Sequence, residues 1–118
     1  MKKFIVPLLT LLSASGLVFA APEMQHNASA PHVAEYHEAM ASMHDDMMQG
    51  IGMSNPDAAF AAGMLPHHQG AVKMAEIELK YGKDPQMRQL AENIIAAQQA
   101  EIDLMQNWLR QYAKHQHD

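Results

Sequence analysis

The sequence predicts an all-α fold: a small antiparallel bundle of three long helices. Three observations lead there. A capping residue followed by proline occurs twice, at Asn55-Pro56-Asp57 and at Asp84-Pro85, and each marks a helix start. Gly50 with Gly52, and later Gly82, stand where the preceding helices should stop. Between these marks the large apolar residues recur at spacings of three and four, the period of one helical face.

Taken in order, the chain first shows Lys2 and Lys3, then a mostly apolar run from Phe4 to Leu12, then Val18-Phe19-Ala20, which fits a cleavage site. Residues 1–20 therefore read as a secretory signal peptide, because the run is too short to span a bilayer and contains Pro7. Residues 21–31 carry two prolines and no apolar periodicity, and read as a mobile arm. The helical domain is expected over 32–114, and 115–118 form a short histidine-containing tail.

The first helix, 32 to about 50, places His37, Met40, His44, Met47 and Met48 on one stripe. It has no Leu and no Phe to fill that stripe. Methionine as a pliable packing residue is the ordinary alternative, but the interleaved histidines favour ligands. The second helix runs to about Tyr81, with Phe60, Met64, His67, Ala71, Met74 and Glu78 on one face. Pro66 removes a backbone hydrogen bond and crowds the Ala62 carbonyl, so this helix should be kinked or split, with Gly63 and Gly70 easing the distortion and His67 and His68 turned out of the regular path. The third helix, from Pro85 to about Ala113, carries the main apolar stripe: Met87, Leu90, Ile94, Met105, Trp108 and Tyr112. Glu101 sits within that stripe. Either it lies at the edge in water or it meets His67, His68 or a bound cation.

Charge and composition narrow the chemistry. The formal charge is −5, and removing Lys2 and Lys3 makes the remainder more acidic, which gives no general attraction for nucleic acid or anionic lipid. There is no cysteine, hence no disulfide, no thiolate ligand and no covalent haem attachment. There are instead eleven methionines and eight histidines. The Glu-x-x-His spacing of di-iron bundles occurs only at Glu23 and His26, in the arm. No glycine-rich phosphate loop is present, and Ser42 and Ser54 look structural. What remains is a soft-metal site, since Cu(I) and Ag(I) accept thioether and imidazole in loose geometry while zinc prefers histidine with carboxylate or thiolate. Where a histidine is a ligand it must be neutral, so affinity should fall as pH drops below about 6.5.

The segments F-A-A-G-M-L-P-H-H-Q-G-A-V-K-M-A, Y-G-K-D-P and I-I-A-A-Q-Q-A-E-I-D-L-M-Q-N-W-L, with M-H-D-D-M in the first helix, resemble the domain-of-unknown-function family that includes the CopM-type copper metallochaperones. That resemblance covers roughly residues 36 to 110. It implies a ferritin-like helical bundle in the bacterial periplasm that binds copper, and silver, in copper tolerance. Carried over by position, it points to Met43, His44 and Met47 on the first helix, to Met64, His67, His68 and Met74 on the second, and to Met105 on the third.

The expected function is therefore periplasmic copper binding, by a buffer or metallochaperone that holds Cu(I), with Ag(I) or Cu(II) as further cargo, and without catalytic turnover. Its partners would be copper ions and an envelope protein that accepts or exports copper, with no nucleic acid and no membrane span once the signal is removed. The competing class is a non-metal helical interaction module whose methionine-rich face grips other chains. A copper-dependent redox enzyme ranks third. Residues 21–118 make a small core, so metal binding or formation of a homodimer would add stability.

Overall fold

The computed structural model describes residues 24–116; the expected signal peptide lies outside them. Three helices follow in order: α1 (Pro31–Ile51), α2 (Pro56–Tyr81) and α3 (Pro85–His115). Each begins with proline in its first turn. The Asn55 side chain accepts from the Ala58 N–H at 3.0 Å, and Asp84 accepts from the Met87 N–H at 2.9 Å. Caps of this kind are worth about 1 kcal/mol each. The helix α1 has no side-chain cap; it follows a turn in which Asn27 Oδ1 accepts from the Ser29 N–H and hydroxyl. Gly52 and Gly82 end α1 and α2 with φ of −78° and −73°, so neither stop uses the left-handed conformation.

The helix α2 runs unbroken through Pro66, which makes three helices and not four. Both α1 and α3 lie along α2, and neither lies along the other. The result is one layer with α2 in the middle. Neighbours are antiparallel: Glu35 pairs with Lys80 and Met43 meets Gly70 on one side, and His68 meets Glu101 and Arg88 meets Leu79 on the other. The Arg88 guanidinium donates to the carbonyls of Leu79 and Gly82, both at 2.9 Å, and so fixes the turn between α2 and α3.

The buried core is made mostly of small side chains, Ala58, Ala61, Ala75 and Ala91, with Ile77, Ile102 and Met105. Small residues let helices approach closely, and glycine carries this furthest between α1 and α2. Gly50 packs on the backbone of Ala62 and Gly63, leaving no room for a Cβ. The Ala62 carbonyl is the one that Pro66 deprives of its helical donor. Gly63 in turn receives Ile51, and Gly70 receives the thioether of Met43. The two glycines expected to ease a distortion at Pro66 are thus the notches into which α1 fits.

The two sides of the layer differ. Glu38, Ser42, Asp46, Gln69 and Lys73 line a polar groove of about 370 Å³ between α1 and α2. On the opposite side of α2, Phe60, Met64 and Met74 line grooves with Met87, Leu90, Leu104 and Trp108 of α3. At the open end of α1, Lys80 donates to Glu35 at 2.8 Å, and His32 sits against the rings of Tyr36 and Tyr81. The Lys80 bond, and then the Tyr81 hydroxyl, hold the Glu35 carboxyl below its ordinary value, while the bond to Glu35 holds the Lys80 ammonium above its own.

Candidate metal centre

Met64 and His68 are one turn apart on the side of α2 that faces α3, so both project into the same seam. Met105 meets them from α3, and Phe60, Leu104 and Glu101 complete a cavity of about 300 Å³. His68 is 8% exposed, and Met105 is 6% exposed. A buried imidazole needs partners for both nitrogens or loses the hydrogen bonds it had in water. His68 has one: its Nε2 is hydrogen-bonded to the Glu101 carboxylate. Its Nδ1 is buried and has no hydrogen-bond partner among the described residues.

With a carboxylate at Nε2, the neutral ring carries its proton there and donates it to Glu101, which leaves the lone pair on Nδ1. Metal-ligating histidines are ordinarily oriented in this way, one nitrogen donating to a carboxylate and the other turned to the metal. Glu101 itself is largely exposed, with 68% of its side chain accessible. Both readings of this residue are therefore met: it lies at the edge of the stripe and it pairs with a histidine.

The side chains around the cavity that can serve as soft ligands are one imidazole and two thioethers. This is a soft set, fitted to Cu(I) or Ag(I). Among the described residues, no three His, Asp or Glu side chains converge, so a carboxylate-rich site for a harder cation is not assembled there.

The eight expected ligands divide between two regions. Met64, His68 and Met105 share the cavity. His67 is exposed, with its ring centroid 6.0 Å from that of His68; on an unbroken helix adjacent residues diverge without any help from Pro66, which is itself buried. Met74 lines the next groove along, with Met87 and Leu90. Met43 is taken up in filling the Gly70 notch. His44 is exposed and Met47 half-buried on α1, across α2 from the cavity. Sequence reasoning missed Phe60 and Leu104 as walls, although Phe60, Met64 and His68 recur at intervals of four.

A family model described as a domain of unknown function (DUF305) matches residues 57–118, more than half of the chain. The match takes in α2 and α3 and leaves α1 outside. An uncharacterized protein, L153, of Acanthamoeba polyphaga mimivirus is 42% identical over 53 residues, 45% of this chain and 35% of that protein. The chain thus spans about a third of the length of that relative.

Proposed function

This chain belongs to the domain-of-unknown-function family DUF305, and from that premise we propose that it is an exported copper-binding protein that holds Cu(I) in the seam between α2 and α3. His68 Nδ1, Met64 and Met105 are the ligands, and Glu101 orients the ring. The observation that carries the reading is the divided environment of His68, whose ring lines a cavity with two methionines: a carboxylate on one nitrogen, and a second nitrogen that is buried and unpartnered among the described residues. The signal-peptide pattern of residues 1–20 supports export to the periplasm, an oxidising compartment where thioethers persist as soft ligands that form no disulfides. Loose thioether coordination suits release by ligand exchange to an acceptor protein, so the role is that of a buffer or metallochaperone, with copper as cargo and no turnover.

Titrating the purified protein with Cu(I) against a chromophoric chelator tests this. The wild type should withdraw copper from the chelator. His68→Ala should abolish most of that competition, and Glu101→Gln should weaken it by roughly 10- to 100-fold, as loss of a ligand-orienting carboxylate does. A wild type that never competes at micromolar chelator would overturn the reading.

A further inference from the structure

A domain closes its core by packing two layers together. Here three helices form one layer, and one side of it is apolar and uncovered. On that side Phe60 is 67% exposed, Leu104 66%, Leu90 49%, Met87 44%, Met74 43% and Trp108 36%. From these observations we infer that this face is the interface with a second copy of the chain, so that the working unit is a two-layer, six-helix dimer.

Area and shape each point to a second copy. These six side chains alone expose roughly 600 Å² of largely apolar surface, most of the roughly 800 Å² that each partner contributes to a standard interface.

The shape is self-complementary. Phe60 and Leu104 protrude at one end of the face. At the other end lies a groove of about 390 Å³ bordered by Ala71, Met74, Leu90 and Ile94. Phe60, His67 and Met74 follow one another at intervals of seven on α2, and Leu90, Ala97 and Leu104 do so on α3. A two-fold axis near His67 and Ala97 carries the Phe60–Leu104 ridge of each copy into the groove of the other, as an isologous interface requires.

The test uses the metal-free protein in the presence of a chelator, so its outcome is independent of copper binding. Sedimentation at micromolar concentration should give the mass of two chains. Phe60→Glu and Leu104→Glu alter exposed residues, so both should keep the helical circular dichroism and sediment as single chains. The chain has no cysteine, so Ala97→Cys introduces one thiol per copy, and mild oxidation should link the dimer through it. Trp108, the chain's one tryptophan, should shift its emission on dilution into monomer. A monomeric wild type, or a dimer that survives both charge substitutions, would overturn the interface. A dimer that Ala97→Cys fails to link would overturn the placement of the axis.

Discussion

The two seams of α2 are built by opposite means. Towards α1 the contact is backbone to backbone: Gly50 lies on Ala62 and Gly63, and Gly70 takes in Met43. Towards α3 the contact runs through side chains, and Met64, His68 and Met105 border a cavity there. Methionine shows what the difference means. Met43 fills a notch beside a glycine, whereas Met105 lines a cavity of about 300 Å³. The space beside the first seam is lined by Glu38, Asp46 and Lys73, whereas the second gathers an imidazole and two methionines. The family match covers the second seam and only one wall of the first.

The comparison is broken most directly at Gly50. Gly50→Ala places a methyl group on the Ala62 carbonyl, and backbone cannot move aside as a side chain does. Denaturant unfolding should show a loss of about 1–3 kcal/mol, in the range of overpacked cores. The folded protein should keep its Cu(I) affinity, because the α3 seam is untouched. A parallel fall in affinity would mean that the two seams act as one.

A matched pair sharpens it next. Met105→Leu and Met43→Leu both conserve volume and should each cost under about 1.5 kcal/mol. Met105→Leu should weaken Cu(I) binding in chelator competition, since it removes a thioether from the cavity. Met43→Leu should leave binding unchanged. Equal losses from both would return Met43 to the ligand set.

How much of this was legible in the sequence follows from the kind of interaction. The three helices were, because Asn55 and Asp84 cap locally and Pro56 and Pro85 pre-set the first turn. The pairing of Glu101 with a histidine was half legible, because a carboxylate in an apolar stripe demands a partner without saying which one. The use of Gly63 and Gly70 was not. A glycine in a helix reads as weakness until the neighbouring helix is known to press on it, and Gly50 lies at the end of another helix. The division of the ligands was hidden for the same reason. Every Met-His stripe looks alike along a chain, and only the order of the helices in the layer decides which stripes meet.

The smallest expected effect concerns the open end of the α1 seam, where Lys80 donates to Glu35. The Glu35 carboxyl is held below its ordinary value of 4.5, chiefly by that bond. Its contribution to stability is therefore present above pH 4.5 and is lost as pH falls through the lowered value. Lys80 is held above its ordinary 10.5 by the same bond, so its contribution is present below pH 10.5 and is lost as pH rises through the raised value. Between these limits the pair is intact, and Glu35→Gln should lower the unfolding midpoint slightly and evenly. Below pH 4.5 the gap between wild type and variant should close, and salt should shrink it at every pH, because an exposed pair is screened. Amide hydrogen exchange should register the change along α1 and not along α3, since α1 meets only α2. A gap that stays constant down to strong acid would assign the effect of Glu35 to packing against Tyr81 and not to its charge.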